Sequence, residues 1–295
     1  MQHKIVYQRP ALIRKKEPAY NFRIVNNRPI KTPPPTAQAL RAQPVIAQKP
    51  VLRQQAVQRA QAVIRYAKAS ELTHDGVQKV LALKGVGRGR ILIILGNGPS
   101  LSEIDTSPLN GLHRVDTLSI NHPDLRIWPT TYWAFCDMSQ YNRHQEYWTS
   151  FTGTILTGTF LPHNKPNVVK FRPLGGEGFS LNLVDGYYVG RSTVYASMQT
   201  AAYMDYDMVF ILGCDMAAST DGRLWFYGNN PDVPLNQRIT RFDKEATFYE
   251  YAGNQLPQYI RDKFYFCSSY NPYSFPDQFH RMKHEDAIEY ILSIA

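Results

Sequence analysis

From residue 90 onward the chain alternates short apolar runs with longer polar stretches. "ILIIL" at 91–95 is too short for a helix and bounded by turn residues, so it reads as a buried strand. "VDTLSIN" (115–121), "TTYWAFCD" (130–137), "GTILTG" (153–158), "VVKFR" (168–172), "MVFILGCD" (208–215) and "KFYFCSS" (263–269) read the same way. Between and after them, "STVYASMQTAAYM" (192–204), "KEATFYEYAGNQL" (244–256) and "HEDAIEYILSIA" (284–295) carry helical spacing. Strands alternating with helices predict an α/β domain with a mostly parallel sheet.

Upstream the pattern differs. "VLRQQAVQRAQAVIRYAKA" (51–69) is rich in good helix formers, and Val57, Ala60, Ile64 and Ala67 make one apolar stripe. A second short helix is expected near 76–84, ended by "KGVGRGR". Residues 1–50 hold recurrent prolines, no glycine and one acid, Glu17, which predicts an extended arm without a core of its own. The expected organisation is therefore an arm at 1–50, a helical linker at 51–89, and a Rossmann-like three-layer domain at 90–295.

Charge divides along the same line. Residues 1–90 carry 18 Lys+Arg against 3 Asp+Glu, a net of +15, and the rest carries 15 against 21, a net of −6. An arm so basic suits nucleic-acid phosphates or neighbouring protein subunits, reached through residues 1–70. No run of about 18 apolar residues occurs, so no membrane span is expected. The first 20 residues lack the apolar centre of a secretory signal, which leaves a cytoplasmic or virion-associated location. Cys136, Cys214 and Cys267 are widely spaced and form neither a CxxC pair nor a zinc-ligand pattern.

In open parallel sheets ligands bind beyond the carboxyl ends of the strands. That rule collects "GNGPS" after 91–95, "NHPD" after 115–120, "CDMSQY" after 130–135 and "GCDM" after 208–212 into one crevice. Gly96 and Gly98 allow close backbone approach, and free N–H groups there suit phosphate. Asn97, Ser100 and Asn121 can bond ribose or base edges, and Asp137 ends a strand facing the same place. Alone, this pattern fits a structural turn as well as a nucleotide site, since the full G-x-G-x-x-G and the Walker lysine are missing.

"LGNGPSLSEID", "SINHPD" and "RSTVYASMQTAAYMDYDMVFILGCDM", in that order, resemble the motifs of a family of bacterial CMP-sialic-acid-dependent sialyltransferases. "FCSSYNPYS" is loosely similar to the family's Cys-Pro-Asn-Ser strand end, and the resemblance spans about residues 90–275. It extends to a broader group that includes tailed-phage proteins. It implies a metal-independent glycosyltransferase with a CMP-sugar-like donor and no permanent cofactor. Gly96, Asn97, Gly98, Ser100, Asn121, Asp137 and Ser192 would then hold the donor, with Asp215 supporting the pocket floor. The family's general base is a histidine after the Gly-x-Asp strand, and residues 217–262 contain none. Asp221, Glu245 and Tyr249 stand in that segment instead. The family steadies its leaving phosphate with tyrosine hydroxyls, for which Tyr227 and Tyr249 are the local counterparts. Asp205 and Asp207 precede a strand, which favours a turn over a metal site. Three readings stay open: an active transferase, a descendant that keeps only the pocket, and a virion-associated structural protein whose arm is the working part. The sequence leaves homo-oligomerisation open as well.

Overall fold

A computed structural model describes residues 72–158, 161, 165–229, 235–268 and 270–295, with only the backbone of 235 and 236. The chain divides into two units, Met1–Gln54 and Gln55–Ala295, and all the described residues belong to the second. The expected arm and the helix at 51–69 lie outside the described residues.

The unit opens with helix α1 (His74–Ala82), whose N-terminus is capped by the Thr73 hydroxyl accepting from the Gly76 N–H at 3.2 Å. Strands β1 (Ile91–Leu95), β2 (Val115–Ile120) and β3 (Tyr132–Phe135) follow. Two short helices, α2 (Met138–Arg143) and α3 (Gln145–Ser150), lead to β4 (Thr154–Thr157) and β5 (Val168–Lys170). A two-stranded ribbon, β6 (Pro173–Leu174) with β7 (Tyr187–Tyr188), precedes α4 (Thr193–Met204) and β8 (Met208–Leu212). The chain closes with α5 (Leu235–Gln255), α6 (Gln258–Arg261), β9 (Phe264–Cys267), β10 (His280–Met282) and α7 (His284–Ile294).

The main sheet has eight strands in the order β10-β9-β8-β1-β2-β3-β4-β5, and every pairing in it is parallel. This is the Rossmann-like arrangement that the sequence pattern predicts. From β1 the chain works outward through β5, then returns to the other side of β1 and works outward again. The order therefore reverses between β1 and β8, which pair from Ile91↔Met208 to Leu95↔Leu212.

Both faces of the sheet are covered. In β1, Leu92 and Ile94 enter the core shared with α4 and α5, while Ile91, Ile93 and Leu95 enter the core shared with α7. A strand buried on both faces reads as a continuous apolar run, which is why "ILIIL" shows no alternation. Eleven of the twelve residues of α4 are buried, so α4 is the central helix of its layer. Val80 of α1 is fully buried in the same core, so packing on the sheet starts before residue 90. A third core of Trp133, Phe135, Tyr141, Trp148 and Phe151 lies beneath α2 and α3.

Among the described residues no helix is long and apolar enough to cross a membrane. Asp205 and Asp207 lie just before β8, as expected for a turn. Asp205 ends α4 in a left-handed conformation and pairs with Arg88 and Lys263 at 2.8 and 2.6 Å, and Asp207 accepts from the Gly89 N–H.

Candidate functional site

The loops after β1 and β8 meet where the strand order reverses. The Gly96 N–H donates to Leu212 O at 2.7 Å and the Gly98 N–H to Gly213 O at 2.8 Å. The approach leaves no space for side chains: a Cβ on Gly96 would sit 2.3 Å from Gly213 O, and one on Gly98 2.3 Å from Asp215 Oδ2. Asp215 is buried beneath this junction. Its carboxylate accepts from the Ser100 N–H at 2.8 Å, from the Ser100 hydroxyl at 2.6 Å, and from the Ser268 hydroxyl. Burial raises its pKa, and those same hydrogen bonds oppose the rise. Asn271 completes the junction by donating to Cys214 O at 2.9 Å, so Ser268 and Asn271 of the loosely matching segment belong to it.

The glycine loop thus differs from the expected phosphate cradle. The N–H groups of Gly96, Gly98 and Ser100 are all held by β8 and its loop. A five-residue 3-10 turn, Pro99–Glu103, follows instead of an α-helix. The motif joins the two halves of the sheet.

Above the junction lies a cavity of about 520 Å³. Of the residues expected to hold a donor, Asn97, Gly98, Asn121, Asp137, Ser192 and Asp215 line it, whereas Gly96 and Ser100 sit in the structure beneath. The Asn97 amide donates to His122 O at 2.9 Å and accepts from the His122 N–H at 3.3 Å, which locks the β1 and β2 loops together. Asn121 has a positive φ of 50°, and its Oδ1 accepts from the Thr193 hydroxyl at 3.2 Å. Among the described residues, four other than glycine adopt positive φ, and Asn121, Arg191 and Met216 of these line the cavity. Such backbone strain concentrates at binding sites.

Ser192 is the N-cap of α4 by position, yet its hydroxyl pairs with the Tyr249 hydroxyl at 2.9 Å and caps nothing. The first-turn N–H groups of a helix have no intrahelical acceptor. Here Thr193 and Val194, which begin α4, form part of the cavity wall. A smaller cavity of about 270 Å³ shares Asp137, Arg191, Ser192, Thr193 and Arg241 with the first.

The three residues expected to act as catalysts separate. Glu245 lines the cavity, pairs with Arg241 at 2.5 Å, and has its pKa raised by burial. Tyr249 is fully buried and stacked on Phe275 at 4.6 Å, and its hydroxyl meets the site through the Ser192 hydroxyl at 2.9 Å and the Cys214 thiol at 3.9 Å. Its pKa is driven well up by burial. Asp221 is not part of the cavity wall. It accepts from Ser219 and pairs with Arg223 at 2.7 Å, which together lower its pKa to about 2.

Sequence reasoning missed the strongest charges of the site, the guanidinium groups of Arg143, Arg191, Arg238 and Arg241. A signal was present in "RITRFDKE", where Arg238, Arg241 and Glu245 recur at i, i+3 and i+7. The helix that carries them begins at Leu235, nine residues before the expected start. Arg238 lies 4.9 Å from the centre of the Trp225 ring, and Trp225 stacks on Tyr227 with centroids 6.1 Å apart. Tyr227 continues onto His122 at 4.2 Å, and His122 onto His144 at 4.7 Å. Burial and the nearby Arg143 lower the pKa of both imidazoles, that of His144 to about 4.

No known protein-family model matches the chain, and no curated protein matches it in sequence.

Proposed function

We propose that the cavity binds a nucleotide-sugar and that the protein is a sialyltransferase-like glycosyltransferase. One observation carries this reading. Asn97, Asn121, Ser192 and Asp215, drawn from three separated motifs of the resemblance, converge on one cavity at the reversal of strand order. That is where parallel sheets of this kind bind nucleotides. In this reading Asn121 and Ser192 contact the donor, and Asp215 supports the floor from below. Arginines balance the charge of the leaving phosphate, so no metal ion is required. Glu245 is the general base, with a raised pKa that brings it closer to neutral pH.

Isothermal titration of the full chain with CMP, UMP and GMP tests the pocket, and donor hydrolysis followed by phosphorus NMR tests turnover. Binding of at least one nucleotide is expected. If none binds at millimolar concentration, the transferase reading fails, and the arm-based structural reading takes its place. Binding without turnover would mark a retained pocket that has lost its chemistry.

A further inference from the structure

The segment after β8 brings two aromatic rings to the cavity. Phe226 packs on the core shared with α7, and its neighbours on either side, Trp225 and Tyr227, both line the cavity. The segment is tied down at its middle, where the Phe226 N–H donates to Asn97 O at 3.1 Å. Asn229 closes it as a loop, accepting from the Leu224 N–H at 2.7 Å and donating to Gly222 O at 2.9 Å. The Trp225 and Tyr227 rings lie within 12° of parallel. Arg238 sits over Trp225 at 4.9 Å, and His122 packs on Tyr227 at 4.2 Å with His144 behind it. Tyr227 nevertheless remains 38% exposed. Rings already held in one orientation lose little freedom when a ligand settles on them. The amide expected to read a base edge is, by contrast, engaged. Both donors of Asn97 are spent on Gly96 O and His122 O, and its oxygen accepts from the His122 N–H.

Resting on the nucleotide-sugar reading, we infer that Trp225 and Tyr227 form the nucleobase subsite of the cavity and hold the base by its face. A nucleobase is a flat π-system, and aromatic side chains bind such systems by stacking, whatever the base. A base laid on either ring lies within about 12° of parallel to the other as well. Tyr227 then works through its ring, not through the hydroxyl that the resemblance assigns to the leaving phosphate. The hydrogen bond from Phe226 to Asn97 fixes this platform to the glycine loop, so the motif after β1 positions the base indirectly.

The experiment is calorimetric titration of the full chain with CMP, UMP, GMP and ribose 5-phosphate, the last carrying sugar and phosphate without a base. The tightest nucleotide should bind roughly tenfold or more better than ribose 5-phosphate. Trp225→Ala and Tyr227→Ala should each weaken that nucleotide by roughly fivefold or more, and ribose 5-phosphate by less than about twofold. Trp225→Phe and Tyr227→Phe keep a ring and should stay within about threefold of the wild type. Of the four tryptophans, Trp128, Trp133 and Trp148 belong to the third core, so the change in emission on adding nucleotide should vanish in Trp225→Phe. Unchanged far-ultraviolet circular dichroism shows that each variant is folded. Alanine variants that bind the nucleotide as the wild type does would overturn the subsite and leave the nucleotide reading standing. Equal losses for nucleotide and ribose 5-phosphate would assign the rings to the sugar or phosphate and overturn it too. A loss in Tyr227→Phe as large as in Tyr227→Ala would move the role of Tyr227 to its hydroxyl, against the inference. No binding of any of the three nucleotides would overturn the nucleotide reading itself, and the subsite with it.

Discussion

Asp215 accepts two hydrogen bonds from Ser100, one from its backbone N–H at 2.8 Å and one from its hydroxyl at 2.6 Å. The pair closes the gap between β1 and β8, the two strands between which the sheet reverses its order. An amide at position 215 would present a donor where two donors already point. Asp215→Asn should therefore lower stability by about 2–3 kcal/mol, the scale of a buried charge-assisted network left unsatisfied. Urea unfolding of the variant measures the loss, and an unchanged midpoint would show that the junction holds without the carboxylate.

Gly96→Ala should act at the same junction by crowding. The new Cβ would meet backbone, Gly213 O at 2.3 Å, so no side chain can turn aside. A cost of about 1–3 kcal/mol is expected from the forced shift, and thermal unfolding reads it directly.

Glu245→Gln separates binding from chemistry. As the proposed general base, Glu245 acts only when ionised, and the burial that raises its pKa shifts the rising limb of activity upward in pH. The variant should lose roughly a hundredfold or more in turnover and keep nucleotide affinity within a few fold. The rising limb should vanish from its pH–rate profile. If Asp137→Asn rather than Glu245→Gln removes that limb, the base is the carboxylate shared by the two cavities.

His144 makes stability depend on pH. It is 3% exposed, and its pKa falls from 6.5 to about 4 on folding. Below pH 6.5 the unfolded chain takes up a proton that the folded chain refuses. The stabilising contribution is therefore complete above pH 6.5 and is lost as pH falls toward 4. Between pH 7 and pH 5 the share of His144 is about 2 kcal/mol. Urea unfolding at the two pH values should show this slope in the wild type and a shallower one in His144→Phe.

Removing residues 1–70 tests the arm. The region up to residue 90 holds the +15 net charge, so the truncated chain should retain DNA weakly and with a reduced dependence on salt. An identical salt slope for both chains would exclude binding driven by the arm.

The alternation of apolar runs was enough to locate seven of the main-sheet strands, because strands buried on both faces leave uninterrupted Ile, Leu, Val and Phe. It gave no warning of β10, where "HRM" has no apolar run. It also missed α2 and α3, which are held by aromatic packing of Tyr141, Trp148 and Phe151 more than by helical periodicity. The start of α5 was hidden because its first two turns face the cavity and carry charge where a core-facing helix would carry apolar residues. Asn97, Asn121 and Asp137 were legible by position alone, after strands, whereas Ser192 came from the motif resemblance. Arg143, Arg191, Arg238 and Arg241 were not, since a basic residue on a helix or turn has the same spelling whether it meets solvent or a ligand.

Helix α5 has two duties along one rod. Arg238, Arg241 and Glu245 form cavity wall, and Tyr249 and Ala252, further along, are fully buried in the main core. An anion seated against the first group braces the second, because a helix transmits position along its axis without an intervening joint. Occupancy of the site should then register as resistance to heat, with a gain that grows as ligand concentration exceeds the dissociation constant. The protein's own melting curve becomes an assay for what it binds, usable on a collection of phosphorylated metabolites before any reaction is known.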